Sequence, residues 1–371
     1  MGREPARVNG VEFALLGHQE SWPRISSIVH ALRDPDRPRL AEEDVRQVAP
    51  WIPPRTLVRS RVSSIANGRS ARGVYIETFV APDELEARAF HRAIEKVREA
   101  VTCAAREGAQ IAALGGFTSI VLEGRPEVAE APEGLALTTG NSLTSALIVK
   151  GVEAAAGLLS IDLSHAALLV VGSTGDIGSA CAGYFATKVR RFLLSARNAE
   201  RLRRQEDSLR RSGVDATAST DLRRLLRAAD VVVCAASLAA PALEIDECRP
   251  GALVCDAGYP KNLRPANHGR AAPHVFWGGM GQCTGGWESD SPLLDIFYSF
   301  PAARVAHGCL LEGVALALER RFESFSQGRG RITPERIEEI WEIASRHGIV
   351  LAPLFGPDGL WPTTPVAGGN C

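Results

Sequence analysis

Three glycines at positions 172, 175 and 178 follow the apolar run ALLVV and precede a helix-like segment. This is the setting of a dinucleotide-binding loop, in which glycines let the backbone approach a pyrophosphate at a helix N-terminus. Glycine triplets alone are a weak signal, because a structural turn can use the same residues. Here the preceding strand and four further strand-like runs favour cofactor binding. The expected loop residues are Gly172, Ser173, Thr174, Gly175, Asp176, Ile177 and Gly178.

The end of the second strand, in RFLLSARN, selects between the two nicotinamide cofactors. An NAD site places an acid there to accept from the ribose 2′-hydroxyl, whereas this chain has Ser195, Arg197 and Asn198. A guanidinium can bind a 2′-phosphate through two hydrogen bonds, so the pattern favours NADPH. Arg197 could instead be one more arginine on a basic, solvated helix. Ala235 and Ser237, at the end of the run DVVVCAAS, complete the expected cofactor-binding set.

Strand-like and helix-like segments alternate between residues 166 and 279, in the runs ALLVVG, RFLLSA, DVVVCAA, ALVCDAG and HVFWGG. This alternation predicts a central Rossmann-type, doubly wound parallel sheet. The first 150 residues predict an N-terminal α/β domain, with strands at 13–17, 57–65, 74–80 and 120–122. They also predict helices over 83–106 and 142–158, the second capped by Asn141. Long helices are expected over 303–325 and 334–347.

The expected organisation is therefore an α/β class chain with three domains and a tail. The N-terminal α/β domain covers 1–150, the NADP(H)-binding domain 151–290, the helical C-terminal domain 291–352, and a mobile Gly/Pro-rich tail 353–371. A net charge of −1 gives no sign of nucleic-acid binding, and no apolar run reaches the roughly 20 residues that span a bilayer. The eight cysteines include no C-x-x-C pair, which argues against an ordinary zinc site and fits the reducing cytoplasm.

Several blocks outside the glycine loop resemble, in order, the cyanobacterial-type long-chain acyl-acyl-carrier-protein reductases. They are FALLGH, GVYIET, ALGGFTSI, TTGN, GSTGDIGSA, SARN, DAGYPKNL and RITPERIEEIWEIASRHG, within residues 11–352. The resemblance implies NADPH-dependent reduction of a fatty acyl thioester to a free aldehyde through an acyl-cysteine intermediate. It implies an acyl-carrier protein or CoA as the thioester carrier, and an aldehyde-consuming enzyme as a further partner.

The resemblance also assigns a nucleophile. The family's cysteine lies three residues before a glutamate on the first C-terminal helix, a pattern that falls on Cys309 and Glu312 in AHGCLLEGVALALE. A cysteine thiolate exchanges readily with a thioester, because both leaving groups are thiols. Without the resemblance, Cys309 would be interpreted as a small buried residue of an amphipathic helix. Cys283, in a loop that departs from the family's pattern, is a rival nucleophile.

Other polar residues in the matched blocks are candidates for supporting roles. Ser119, Thr139 and Asn141 could donate hydrogen bonds to a developing oxyanion. Lys261 could orient the nicotinamide or donate a proton, or it could only cap the turn after Tyr259-Pro260. His18 could lower the pKa of the nucleophile or protonate the product. His307, two residues before Cys309, lies on a different helical face and is a weaker candidate for the same roles.

Three questions remain open at the level of sequence. The polar, Gly-rich segment GGMGQCTGGWESDSPLL leaves the length and functional groups of the acyl chain undefined. Residues 188–227 carry twelve Lys/Arg against five Asp/Glu, which indicates either a solvated helix face or a docking surface for an acidic carrier protein. The alternatives to thioester reduction are an NADP oxidoreductase like shikimate or methylene-tetrahydrofolate dehydrogenase, without covalent catalysis, and a non-catalytic NADP(H)-binding relative.

Overall fold

The computed structural model describes residues 10–34, 36–80, 90–119, 131–238, 241, 243–264, 272–293, 299–326 and 330–364. The chain divides into two compact units. Unit 1 comprises Met1–Gly140, Gln282–Gly328 and Glu342–Val350, and unit 2 comprises Asn141–Gly281, Arg329–Trp341 and Leu351–Cys371. These units do not follow the expected boundaries at 150, 290 and 352. The division into three consecutive folding domains stays a prediction.

The regular elements of the described residues are as follows. The helices are α1 (Trp22–Ala31), α2 (Glu42–Val48), α3 (Phe90–Arg106), α4 (Asn141–Leu158), α5 (Asp176–Phe185), α6 (Ala199–Arg211), α7 (Leu222–Ala228), α8 (Gly308–Glu319) and α9 (Pro334–Arg346). The strands are β1 (Phe13–Gly17), β2 (Arg55–Ser63), β3 (Ser70–Glu77), β4 (Ile111–Leu114), β5 (Ala136–Thr138), β6 (Ala167–Val171), β7 (Arg191–Ser195), β8 (Ala216–Ala218), β9 (Val231–Cys234), β10 (Leu253–Asp256), β11 (His274–Trp277), β12 (Met280–Cys283), β13 (Trp287–Ser289), β14 (Val305–His307), β15 (Ile349–Leu351), β16 (Phe355–Gly356) and β17 (Gly359–Leu360).

Unit 1 is built on a six-stranded sheet in the order β13-β2-β3-β1-β4-β5. Strands β3, β1, β4 and β5 are parallel, and β2 and β13 extend the sheet antiparallel. Helix α3 presents apolar residues at helical spacing, from Ala93 to Ala104, to one face of this sheet. The other face packs against α8, where a Cβ on Gly313 would lie 2.8 Å from the Cβ of Ala113. Helix α8 is buried around most of its circumference, as expected for its uniformly apolar sequence.

Unit 2 contains a second six-stranded sheet, in the order β11-β10-β9-β6-β7-β8, in which all neighbouring strands are parallel. Numbered within the unit, this order is 6-5-4-1-2-3, the arrangement of doubly wound dinucleotide-binding folds. The predicted central sheet is therefore confirmed. The strands are almost entirely buried, which explains why they are continuous apolar runs in the sequence. Strand β8 is too short and too weakly apolar to be predicted.

The predicted helices are confirmed with one exception. Helices α4 and α9 match the predictions, and α3 ends as expected before Gly108; its predicted first residues, 83–89, lie outside the described residues. The single helix predicted over 303–325 is wrong. Its first part is β14, and α8 ends where Arg320 adopts a left-handed conformation with φ of 62°. Beyond that point the chain turns, and the carbonyl of Ser326 accepts a hydrogen bond from the amide of Thr139 at 2.8 Å.

Two further sequence predictions concern the segment at 120–122 and the C-terminal tail. The strand predicted at 120–122 lies outside the described residues, and the short strands β4 and β5, which flank that region, were not predicted. The expected mobile tail does not hold for residues 355–361, because β16 and β17 form a hairpin. Within unit 2, the indole nitrogen of Trp361 donates to the carbonyl of Val275 at 3.1 Å, which fixes the hairpin against β11.

Candidate active site

The glycine loop of unit 2 has the geometry that a dinucleotide cradle needs. Gly172 has a φ of 80°, and a Cβ there would lie 2.7 Å from the Cα of Ala236. A Cβ on Gly178 would lie 2.3 Å from the carbonyl oxygen of Gly172. Gly175 is the N-cap of α5, and no side-chain hydrogen bond caps this helix. The exposed amides of a helix N-terminus bind phosphates, so these residues fit a pyrophosphate.

The side chains expected to choose the cofactor lie at the end of β7. The carbonyl of Ser195 accepts hydrogen bonds from the amides of Gly172 and Ser173, at 2.8 and 3.1 Å, so β7 and the glycine loop are held together. Arg197 is exposed. The side chain of Asn198 caps α6 by accepting from the amide of Arg201 at 2.9 Å. Thr174 and Ile177 in the loop are partly exposed.

The motif DAGYPKNL holds the loop that follows β9. The buried carboxylate of Asp256 accepts from the amides of Asn262 and Leu263, at 2.8 and 2.9 Å. The Asn262 side chain then donates to the carbonyl of Ala236 at 2.9 Å and accepts from its amide at 3.2 Å. Its neighbour Ala235 is partly exposed, and its neighbour Ser237 is exposed. The motif thus positions the loop opposite the glycine turn, a role that its polar residues alone did not indicate.

Lys261 and Asn141 make contacts within unit 2. The ammonium of Lys261 donates to the carbonyl of Asp256 at 3.3 Å and lies 5.1 Å from the ring centroid of Trp277. The amide nitrogen of Asn141 donates to the carboxylate of Asp176 at 2.9 Å. The second oxygen of that carboxylate accepts from the amide of Gly330 at 3.2 Å. The acid at the start of α5 is therefore held by amide donors.

Cys309 lies in unit 1, at the second residue of α8. Its main chain is in close contact with Gly140, where an added Cβ would lie 2.2 Å from the Cα of Cys309 and 2.0 Å from its carbonyl oxygen. The backbone amides of Gly116, Leu310 and Cys309 itself favour a thiolate at this sulfur. Cys309 is partly exposed, whereas Cys283 is 2 % exposed. A helix N-terminus with neighbouring backbone amides is a favourable place for a thiolate, or for the oxyanion that forms on a carbonyl attacked by that thiolate.

The acidity of these thiols follows from their surroundings. Burial raises the pKa of Cys309 to about 11, and the negative charge of Glu312 adds to this increase. The amides of Gly116 and Leu310 act in the opposite direction. Burial raises the pKa of Cys283 further, to about 12, against a smaller opposing effect of Arg304.

His18 lies beside the turn that carries the Gly116 amide. The Nε2 atom of His18 accepts a hydrogen bond from the amide of Phe117 at 2.9 Å, and Nδ1 lies 3.2 Å from the carbonyl of Gln19. Burial lowers the pKa of His18 to about 4, so the imidazole is neutral at physiological pH. The hydroxyl of Ser119 donates to the carbonyl of Gly116 at 2.8 Å and closes the same turn.

Glu312, one helical turn after Cys309, is completely buried in a polar network. One carboxylate oxygen accepts from the hydroxyl of Thr138, and the other accepts from the hydroxyl of Ser326 at 2.9 Å. The amide of Ser326 donates to the Thr138 hydroxyl at 3.0 Å. This network connects the end of β5 to the middle of α8. It thereby fixes the helix that carries the cysteine.

The expected site residues fall into two sets. Unit 1 contains Cys309, His18 and Ser119, together with Thr139, His307 and Cys283; unit 2 contains Asn141, Lys261 and the whole cofactor set. His307 is the N-cap residue of α8, and its ring packs on Phe300 with centroids 5.6 Å apart. Sequence reasoning missed the Gly116 amide. The paired glycines after β4 were the available signal, because such turns expose amides at the carboxyl end of a parallel strand.

Two classes of site find no support among the residues that the structure describes. These residues include no group of three or more His, Cys, Asp and Glu side chains that could hold a metal ion. None of their helices is long and apolar enough to cross a membrane.

Comparison with known proteins finds sequences similar to most of this chain. No family model matches the chain. Over 306 residues it is 35% identical to the long-chain acyl-[acyl-carrier-protein] reductase of Synechococcus elongatus, covering 80% of this chain and 87% of that protein. It is 28% identical over 300 residues to aminotransferase PigE of a Serratia species, covering 78% of this chain and 33% of that protein. Quinate dehydrogenase from Corynebacterium glutamicum, solved with NAD, aligns at 16% identity and a TM-score of 0.33, covering 68% of this chain and 81% of that one.

The strand order of unit 2 and its glycine cradle define a Rossmann-type dinucleotide-binding fold. The identity over most of both chains then gives the family. The chain belongs to the long-chain acyl-[acyl-carrier-protein] reductases.

Proposed function

We propose that this enzyme reduces an acyl thioester, carried by acyl-carrier protein or CoA, to a free aldehyde with NADPH through an acyl-Cys309 intermediate. The observation that carries this proposal is the environment of Cys309, a partly exposed residue at a helix N-terminus where the backbone amides of Gly116, Leu310 and Cys309 favour a thiolate. Cys283 is buried, and burial raises its pKa further, to about 12, which favours Cys309 as the nucleophile.

In the first half-reaction the Cys309 thiolate attacks the thioester carbonyl carbon. A new carbon–sulfur bond forms, the bond to the carrier's sulfur breaks, and the carrier leaves as a thiol after taking up a proton. The Gly116 and Leu310 amides, which lower the pKa of Cys309, favour the thiolate that makes this attack. The step needs no redox partner, because one thioester replaces another.

The second half-reaction needs a hydride donor. The loop from Gly172 to Gly178 would hold the pyrophosphate of NADPH. The rest of the cofactor would be contacted by Ser195, Arg197, Ala235 and Ser237. When bound, NADPH supplies the hydride that brings the acyl group to the aldehyde level. The Cys309 sulfur then leaves as a thiolate and is regenerated. One thioester, one NADPH and one proton thus give one aldehyde, one thiol and one NADP⁺.

The supporting residues are proposed to position groups rather than to exchange protons. Both ring nitrogens of His18 are engaged and its ring is neutral, which favours a role in fixing the turn that carries Gly116. Ser119 would brace the same turn. Asn141 would orient Asp176, and Lys261 would lie next to the cofactor loops through Asp256.

The preference for NADPH over NADH is proposed from Arg197 and from the absence of an acid at the end of β7. Losing one bidentate, charge-assisted contact should cost about 1.5–3 kcal/mol, or roughly ten- to a hundredfold in affinity. Arg197→Ala should therefore weaken NADPH binding and leave NADH binding nearly unchanged. Arg203→Ala, an exposed arginine on α6, is the matched control. Equal losses for both cofactors in Arg197→Ala would contradict the assignment.

The carrier and the cellular setting are further parts of the proposal. The basic segment 188–227 would dock an acidic carrier protein, so turnover of carrier-bound substrate should fall with salt more steeply than turnover of a small thioester. All seven described cysteines are free, which supports a cytoplasmic enzyme. The aldehyde product would pass to an aldehyde-consuming enzyme.

The decisive experiment traps the intermediate. Incubation with an acyl thioester in the absence of NADPH should add one acyl mass to the intact protein, and digestion should locate it on the peptide with Cys309. Adding NADPH should release it as aldehyde. Cys309→Ala should lose the adduct and turnover but keep NADPH affinity, whereas Cys283→Ala should behave as the wild type. Turnover without any adduct would support a dehydrogenase of the shikimate or methylene-tetrahydrofolate type, and NADPH binding without turnover a non-catalytic relative.

A further inference from the structure

A cleft of about 470 Å³ lies in unit 1, away from the cysteine. Its charged and amide-bearing lining residues are Glu12, Arg61, Arg69, Arg72, Gln110 and Arg320. Four arginines against one acid make this cleft strongly basic. The volume falls in the range of small-molecule sites, roughly 300–1,000 Å³.

The cleft and the nucleophile lie at opposite ends of the same parallel strands. Glu12 precedes β1, Gln110 precedes β4, and Arg72 is near the start of β3. Gly116 and Gly140, which contact Cys309, follow the carboxyl ends of β4 and β5. A five-residue strand is about 17 Å long, so a molecule in the cleft does not reach the sulfur. The cleft is therefore separate from the proposed reaction and does not depend on it.

The charges in the cleft are only partly compensated. The Glu12 carboxylate accepts from the guanidinium of Arg69 at 2.8 Å and from the amide of Arg72 at 3.2 Å. Arg61 donates to the hydroxyl of Ser70 at 2.7 Å, which orients its guanidinium but supplies no negative charge. Among the described residues, no side-chain acceptor contacts the guanidinium groups of Arg72 or Arg320. The hydrogen-bond donors of these two guanidinium groups are therefore available to an anionic ligand.

We propose that this cleft binds a phosphate-bearing small molecule with at least two phosphoryl groups. Guanidinium groups bind phosphate oxygens through paired hydrogen bonds, and several in one concavity suit a multiply charged anion better than a single phosphate. Glu12 leaves a net excess of three positive charges, which matches a diphosphate. The amide of Gln110 adds a donor that can contact a neutral part of the same ligand.

The test is a calorimetric titration with inorganic pyrophosphate in the presence of saturating NADP⁺, which keeps the probe out of the glycine loop. The wild type should bind one pyrophosphate. Arg72→Gln/Arg320→Gln should bind it roughly ten- to a hundredfold more weakly, because two charge-assisted contacts are lost. Glutamine keeps most of the length of each arginine side chain. Like arginine, it is a non-glycine residue in the left-handed backbone conformation at position 320.

Arg37→Gln/Arg98→Gln is the matched control, since both arginines are exposed and the change in net charge is the same. It should bind pyrophosphate as the wild type does. Unchanged NADP⁺ affinity and unfolding midpoint would show that both double variants are folded. Equal weakening in both double variants, no binding to the wild type, or orthophosphate binding as tightly as pyrophosphate would each overturn the proposal.

Discussion

The amide of Phe117 donates a hydrogen bond to Nε2 of His18 across 2.9 Å, and this bond uses the lone pair that a catalytic imidazole would need. The adjacent Gly116 has a φ of 57°, and its amide contacts the sulfur of Cys309. A Cβ on Gly116 would lie 2.4 Å from the same Nε2 atom. The imidazole, the turn and the sulfur therefore form one packed arrangement.

The first prediction concerns this imidazole. His18→Leu removes the acceptor and leaves the Phe117 amide unsatisfied, at a cost of about 1–3 kcal/mol. We expect slower acylation of Cys309, measured by mass spectrometry in single turnover. His18→Asn, which retains an acceptor, should recover part of the rate. In the wild type the acylation rate should rise with pH without a limb near the ordinary histidine pKa of about 6.5. If the wild type did show a limb near pH 6.5 in its acylation rate, and both variants lacked it, His18 would exchange a proton during acylation.

The second prediction concerns the buried carboxyl of Glu77. Burial raises the pKa of Glu77 to about 7, while hydrogen bonds from Gln19, Phe79 and Tyr75 and the charge of Lys96 limit the increase. The folded state thus binds more protons than the unfolded state between about pH 4.5 and 7. This contribution to stability is complete below that window and is lost as pH rises through it.

Glu77→Gln should abolish that loss. Between about pH 5 and 8, the wild type should lose about 2–3 kcal/mol of unfolding free energy relative to the variant. Urea unfolding at both pH values measures the difference. His18, whose pKa is lowered, acts in the opposite direction below about pH 6.5, but it is present in both proteins and cancels. If the unfolding free energies of the wild type and the variant changed equally with pH, the assignment to Glu77 would be wrong.

The third prediction tests the charge of Glu312 next to the nucleophile. That charge raises the pKa of Cys309, so Glu312→Gln should lower the pKa and increase the thiolate fraction at neutral pH. Alkylation of Cys309 by iodoacetamide at about pH 8 should become roughly two- to tenfold faster. In the variant the amide oxygen can accept from one of the Thr138 and Ser326 hydroxyls, and the amide nitrogen can donate to the other, which keeps the network intact. Cys309→Ser gives the background rate, and slower alkylation in Glu312→Gln would contradict the prediction.

The fourth prediction compares two glycines on α5. Gly178→Ala would place a Cβ 2.3 Å from the carbonyl oxygen of Gly172, so the cradle must shift. NADPH affinity should fall at least about tenfold, with a cost in stability of about 1–3 kcal/mol. At Gly183 no heavy atom lies within 4 Å of an added Cβ. Gly183→Ala should therefore keep NADPH affinity and gain about 0.5–1 kcal/mol in stability. Fluorescence titration measures the NADPH affinity, and thermal unfolding measures the stability. Equal NADPH affinities in the two variants would contradict a role of the glycine loop in cofactor binding.

Elements of the fold could be predicted from the sequence where a local residue pattern determines them. Strands β6 and β9 are buried on both faces and are therefore continuous apolar runs, and the glycine loop has a fixed spacing. The helix predicted over 303–325 failed because an apolar strand such as Val305–His307 cannot be told from a helical segment by periodicity alone. The paired glycines after β4 indicate an exposed amide at Gly116, but its proximity to the Cys309 sulfur was not predictable, because the two residues lie almost two hundred positions apart in the sequence.

The chain order of unit 1 has a consequence for synthesis on the ribosome. Strands β1 to β5 are complete by residue 138, but α8, which covers one face of their sheet, is formed by Gly308–Glu319. Until that helix emerges, apolar residues such as Ala113 have no partner on that face. All six strands of the parallel sheet of unit 2 lie between Ala167 and Trp277 and can pair earlier. The period in which nascent unit 1 exposes apolar surface is therefore long, and chaperone dependence during translation should arise from this unit.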